Sequence, residues 1–118
     1  MLARANRLTS ASLFAHAIRR GARVGGPVLV VHLSETEVTG PLVGLVVSKQ
    51  VGNATIRNRV KRRLRALARD RIGSLSGSAV LVIRALPPAA TATSGELAAE
   101  FDRCLVRAQR KLGEGGQA

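Results

Sequence analysis

Apolar and polar positions change period several times along the chain. Leu8, Leu13-Phe14 and Ala17-Ile18 recur at helical spacing and predict a short amphipathic helix. Thr9 is placed to cap it, Leu8 and Leu13 stand at hydrophobic-staple positions, and Gly21 marks its end. Three apolar runs, 28–33, 42–47 and 79–83, are short and largely β-branched. The first ends in the polar turn Ser34-Glu35-Thr36-Glu37, and the third lies between Ser76-Gly77-Ser78 and Pro87-Pro88. Such runs predict strands rather than buried helix. Ile56, Val60, Leu64 and Leu67 form one apolar stripe and predict a helix over 56–71, with Gly73 as its stop. Strand, helix, strand in that order implies a crossover joining two parallel strands. A last helix begins at Thr93, where Thr93 and Glu96 match a capping box. Its inner face is Leu97, Phe101, Leu105, Ala108 and Leu112, Gly113 closes it, and 114–118 reads as a frayed tail. Residues 85–92 read as a Pro/Ala-rich loop.

A length of 118 residues suits one domain, 1–118, and at this size about two thirds of the unfolded chain's surface can be buried. A hydrophobic share of 46% excludes a disordered chain. The single Cys104 excludes an internal disulfide and a multi-cysteine zinc site, and suits a reducing compartment. No apolar stretch approaches the roughly 20 residues of a membrane span, and the polar start does not resemble a signal core. A cytoplasmic protein without a membrane partner is expected, and no obligate protein partner is evident.

Charge changes the picture most. Lys and Arg number 19 against 7 Asp and Glu, a formal +12, which points to a polyanionic partner and first to nucleic acid. Aromatics are only 2%, which disfavours a single-strand binder built on many stacked rings. Arg57, Arg59, Lys61, Arg62, Arg63, Arg65, Arg69 and Arg71 all fall in the helix over 56–71, opposed there only by Asp70. Arg57, Lys61 and Arg65 stack at i, i+4, where like charges cost an isolated helix roughly 0.2–0.5 kcal/mol per pair. The bland reading is a solvated basic face, and Lys occurs only at 49, 61 and 111, so the preference for Arg is chain-wide. The functional reading is a phosphate-tracking helix, a role the planar guanidinium fork suits.

At this helix the sequence becomes recognisable. Val43-Gly44-Leu45-Val46-Val47-Ser48-Lys49-Gln50-Val51-Gly52-Asn53-Ala54-Thr55-Ile56-Arg57-Asn58-Arg59-Val60-Lys61-Arg62 closely resembles the signature of the bacterial ribonuclease P protein component. Asn6-Arg7-Leu8, Phe14 and Arg20-Gly21 look like that family's opening, Val80-Leu81-Val82-Ile83-Arg84 like its last strand, and 94–112 like its closing helix. The resemblance implies a protein subunit that helps a catalytic RNA remove the 5′ leader from precursor tRNA. It implies contact with the RNA subunit at Arg57, Asn58, Arg59, Lys61, Arg62 and Arg65. It also implies a leader-binding cleft at Phe14, Ile18, His32, Val46, Ser48 and Lys49. The expected fold is an α+β single-domain αβ sandwich. It has a small mixed sheet with helices in the order α-β-β-β-α-β-α and the basic helix in the βαβ crossover. The family's crossover is left-handed, against the usual right-handed rule. Three of the four strands correspond to the apolar runs, and the fourth has no residues assigned. Ile18, His32 and Ala68 stand where the family often has aromatics, Leu42 where it often has Arg, and Gln50 where it often has Lys. Stacking on the leader is therefore expected to be reduced to Phe14 and His32.

Phe14 at helical spacing fits core and leader contact alike, and His32 in an apolar strand fits a satisfied core histidine. Lys49 at a strand end fits a binding edge, Cys104 a small buried group, and Glu35 and Glu37 a solvated turn. With His16 the only other histidine, no histidine metal cluster exists, and no nucleophile pair or acidic cluster suits phosphodiester chemistry. The expectation is no cofactor bound by the protein alone and Mg²⁺ in the RNA-containing holoenzyme, an endoribonuclease whose chemistry belongs to the RNA. A purely structural RNA-binding protein, such as a small ribosomal component, is the alternative. Stimulated leader removal separates the two.

Overall fold

Two strands covered on both faces organise the chain. The computed structural model describes residues 2–116, with side chains as far as residue 113. Helix α1 (Ala11–Arg20) is followed by β1 (Ala22–Gly25), β2 (Leu29–Glu35) and β3 (Leu42–Val46). Helix α2 (Ala54–Arg71), β4 (Ala79–Ala85) and α3 (Ser94–Gly116) complete the expected α-β-β-β-α-β-α order. The sheet runs β1-β2-β4-β3, antiparallel except for the parallel pair of β3 with β4 that the crossover demands.

Central β2 and β4 are buried along nearly their whole length because helices cover both sheet faces. On one face Leu29, Val31, Leu33, Leu81 and Ile83 meet Leu97, Phe101, Leu105 and Ala108 of α3 and Val60, Leu64 and Ala68 of α2. On the other, Val80 and Val82 meet Leu8 and Ala17, with Leu13 and Phe14 of α1 packed against them. The Thr93–Glu96 capping box forms as expected. The Thr93 N–H donates to the Glu96 carboxylate and the Glu96 N–H to Thr93 Oγ1, each at 3.1 Å. The backbone bond from Thr93 is the main cause holding the Glu96 carboxyl below its ordinary range.

Boundaries differ from the sequence reading in physically instructive ways. Ser10, not Thr9, caps α1, its Oγ accepting the Leu13 N–H at 3.3 Å. Leu8 is no staple residue; its N–H donates to the Val43 carbonyl at 2.8 Å, and its side chain is buried with the sheet. Gly21 ends α1 as expected, because a Cβ there would collide with the Ala17 carbonyl. The unassigned strand is β1, whose four residues turn only Val24 fully into the core, too few to show a period. β2 continues through Ser34 and Glu35, so the polar turn starts later, and Ser34 is buried on the α1 face. β3 stops one residue short of Val47, and β4 extends to Ala85, leaving a short 3₁₀ turn Pro87–Ala90 in the expected loop. α2 starts two residues early because Asn53 Oδ1 caps it, accepting the Ile56 N–H at 3.0 Å. Gly73 sits inside a 3₁₀ turn, Ile72–Ser74, instead of stopping the helix. Gly113 does not close α3, which runs on to Gly116. Of the expected frayed tail, 114–116 are therefore helical and 117–118 lie outside the described residues.

Phe101 is fully buried where α3 meets the sheet. Phe101→Ala is expected to lower unfolding free energy in urea by about 3–5 kcal/mol. Val106→Ala, on the exposed side of the same helix, should leave it within about 0.5 kcal/mol.

Candidate nucleic-acid interface

Helix α2 divides its cations between two tasks. Arg59 Nη2 donates to the Ala90 carbonyl at 2.7 Å and Arg63 Nη1 to the Ala92 carbonyl at 3.1 Å. Arg71 forks onto the Asp102 carboxylate and lies 5.7 Å over the Phe101 ring. That hydrogen bond raises the Arg71 pKa and lowers that of Asp102. These three guanidinium groups tie α2 to α3 and to the segment before it. Arg69 pairs with adjacent Asp70 at the surface. Arg57, Asn58, Lys61, Arg62 and Arg65 make no side-chain hydrogen bond or ion pair among the described residues, and Asn58, Arg62 and Arg65 are exposed. Of the six positions matched to RNA-subunit contact, five therefore offer free polar heads, and Arg59 is committed inside the fold.

The second set gathers on the α1 face of the sheet. Phe14 is half-buried over Gly44, where a Cβ would overlap its ring and stand 2.9 Å from Leu8 Cδ2. The missing side chain of Gly44 is what lets the aromatic ring lie on the sheet. Ile18 follows one helical turn later and is 44% exposed. Strand register sets Arg23, His32, Val82 and Gly44 in one row, and Gly25, Val30, Arg84 and Val46 in the next. His32 is only 4% exposed and its Nδ1 finds no partner. Burial first, then the charges of Arg23 and Arg84, push its pKa below the ordinary value. Val46 is half-buried, while Ser48 and Lys49 stand exposed in the turn beyond β3. The structure thus brings Phe14, His32 and Val46 onto one sheet face and leaves Ser48 and Lys49 at its end.

The two sets meet. A cavity of about 210 Å³ is lined by Phe14 and Gly44 on one side and by Arg7, Lys61 and Arg65 on the other. Arg7 also lines a second cavity, of about 300 Å³, with Arg62 and Arg65. Arg7, Arg23 and Arg84 were not among the residues singled out. Arg84 had a signal, since it shares strand parity with Val80 and Val82 and breaks an apolar run. Arg7 stood in the Asn6-Arg7-Leu8 motif without an assigned role, and Arg23 had no signal short of the three-dimensional fold.

Chemically the arrangement offers guanidinium and ammonium groups around one aromatic ring, suited to binding phosphates and a base. Among the described residues no group of three or more His, Cys, Asp or Glu could hold a metal ion. Cys104 is fully buried, and burial pushes its thiol pKa up. Glu35 and Glu37 are exposed, as expected. No helix of the described residues is long and apolar enough to cross a membrane.

Comparison with known proteins identifies the family. A family model described as Ribonuclease P matches residues 2–109. The ribonuclease P protein component of a Nocardioides species is 58% identical over 110 residues, covering 91% of this chain and 94% of that relative. That of Streptomyces griseus is 47% identical over 126 aligned residues, covering 99% of this chain and 100% of the relative. The Staphylococcus aureus RNase P protein superposes with a TM-score of 0.79 at 25% identity, covering 89% of this chain and 96% of that one. The Thermotoga maritima RNase P protein shares the fold, with a TM-score of 0.74 at 21% identity over 86% of this chain and 96% of that one.

Buried His32 makes stability depend on pH. Unfolded, it titrates near 6.5; folded, it titrates lower. Between those values the unfolded chain binds more protons, so the contribution is complete above about pH 6.5 and declines as pH falls toward the folded value. Urea unfolding at about pH 7.5 and 5.5 should show this loss in the natural chain, and a smaller one in His32→Gln. The lowered carboxyls of Glu96 and Asp102 act only at more acidic pH.

Proposed function

Because the chain belongs to the bacterial ribonuclease P protein family, protein components of the RNA-containing endoribonuclease that matures tRNA 5′ ends, we propose how its surfaces divide that work. Arg57, Asn58, Lys61, Arg62 and Arg65 dock on the RNA subunit. Phe14, Ile18, Val46, Ser48 and Lys49, joined by Arg84, hold the single-stranded leader of precursor tRNA, while His32, expected from the sequence to stack on it, is buried beneath the surface and supports the groove from within. The observation that carries this reading is the cavity in which Phe14 faces Lys61 and Arg65, where the two sets of residues meet; an aromatic ring beside cations suits stacking on a base next to its phosphates. Arg59 serves as a positioning residue, fixing α2 against the Ala90 carbonyl.

The chain contributes binding and charge screening rather than bond cleavage. Its described carboxylates form no ligand set for Mg²⁺, so any Mg²⁺ the reaction uses is assigned to the RNA. The buried, unpaired Cys104 fits work in the reducing cytoplasm.

Replacing Arg57, Arg62 and Arg65 together with Ala should weaken binding to the RNA subunit. It should also flatten log K against log salt by roughly 0.7–0.9 for each lost contact. Arg59→Ala should instead lower the stability of the free protein, by roughly 1–3 kcal/mol from the stranded partner groups. An unchanged salt slope in the triple variant would remove α2 from the interface. Separately, a Phe14→Leu, Lys49→Ala double variant should assemble normally yet prefer precursor over mature tRNA less strongly. A lost stacking contact is worth about 1–3 kcal/mol per base. Preference that survives intact would refute the groove.

A further inference from the structure

A second cationic cluster lies away from α2, where α3 passes the free edge of β1. Two adjoining cavities of about 390 and 690 Å³ open there. The first is lined by Arg23, Arg107, Arg110 and Lys111 together with Val24 and Gly25, and no carboxylate lines it. The second adds Arg20 and a single carboxylate, Glu35. Arg107 and Arg110 are exposed and carry no side-chain hydrogen bond or ion pair among the described residues. Lys111 Nζ donates to the Arg23 carbonyl at 3.0 Å, which fixes the end of α3 beside the strand. Arg103, by contrast, is neutralised by Glu100 at 2.9 Å. The strand order puts this cluster three strand spacings from β3, roughly 14 Å across the sheet.

The cluster is continuous with the groove. The row Val46, Arg84, Val30, Gly25 crosses the sheet from the β3 edge to the β1 edge. The Arg23 guanidinium lies beside Gly25 at the end of that row. Beyond it, Arg107 and Arg110 belong to the helix on the opposite sheet face, so the line of cations turns around the edge.

We propose that this edge extends the leader path: phosphates of leader nucleotides far from the cleavage site pass Arg84, round the edge at Arg23 and settle on Arg107 and Arg110. A single strand can follow that turn from one sheet face to the other, whereas duplex RNA or DNA is too stiff to wrap a single sheet edge. No aromatic ring stands at this edge, since the chain's two Phe side chains lie elsewhere, Phe14 in the groove and Phe101 in the core. The contacts proposed are to phosphates, which carry no sequence information. This rests on the groove reading above and adds a dependence on leader length.

The test uses the Arg107→Gln, Arg110→Gln double variant assembled with the RNA subunit. Three ligands are compared: mature tRNA, precursor with a leader of a few nucleotides, and precursor with a leader long enough to round the edge. Affinity for the long-leader precursor should fall about tenfold at low salt, and its log–log salt slope should drop by about 1.4, for two single-strand contacts. Affinity for the other two ligands and the melting temperature should be unchanged. Equal losses on all three ligands would assign the cluster to the RNA subunit or the tRNA body and overturn the proposal, as would no loss on any. Should the natural holoenzyme itself fail to prefer leader-bearing tRNA over mature tRNA, the groove reading would fall, and this extension with it.

Discussion

A helix that carries Arg57, Lys61 and Arg65 in one column repels itself, and it stays helical only because tertiary structure outweighs the repulsion. Val60, Leu64 and Ala68 are fully buried along one stripe of α2, and this burial is the larger contribution. The smaller contribution comes from the charge itself. Arg59, Arg63 and Arg71 turn inward onto two carbonyls and a carboxylate, which spares three guanidinium groups from mutual repulsion at the surface. The remaining cations are thereby presented on a rigid element rather than on a fraying one. Those inward contacts add to the buried stripe in fixing where the column of Arg57, Lys61 and Arg65 stands.

A similar economy governs the opposite sheet face. Gly44 gives up its side chain so that Phe14 can lie on β3, and that close approach brings α1 within reach of α2 across one small cavity. The same half-buried ring packs on the sheet and lines that cavity. His32 is placed less comfortably, buried between two arginines with one ring nitrogen unpaired. An aromatic of similar size would avoid both costs, and the neutral imidazole is what the surroundings enforce.

Much of the fold was legible because its signals are local. The stripe of α2, the capping box at Thr93 and the β-branched runs each sit within a few residues, and the structure keeps all of them. β1 was not legible, since four residues with one core position carry no period. The cap at Ser10 and the passage of α3 beyond Gly113 were decided by neighbouring hydrogen bonds and by helix continuation, not by residue type. For the candidate site, charge density marks α2 at once. Helical angle then separates the arginines: Arg71 falls within the sector of Ile56, Val60, Leu64 and Leu67, Arg63 and Arg59 border it, and Arg62 and Arg65 lie opposite. Only the fold brings the Ala90 and Ala92 carbonyls and the Asp102 carboxylate to meet the first three. Arg7, Arg23 and Arg84 come from three separate segments, and only the sheet brings each of them beside the groove or the basic helix.

The edges of the sheet have a consequence for the chain before it ever meets RNA. An open strand edge presents unpaired N–H and C=O groups on which another chain can template. Here β3 is shielded by the opening segment, through the Leu8 N–H on Val43, and β1 by the ammonium of Lys111 on the Arg23 carbonyl. Both guards are cationic or flanked by cations, so a second copy approaching either edge meets like charge as well as occupied backbone. The free subunit is in this way protected from self-association by the same charges that would draw it to a polyanion, and the protection weakens as soon as salt or RNA screens them.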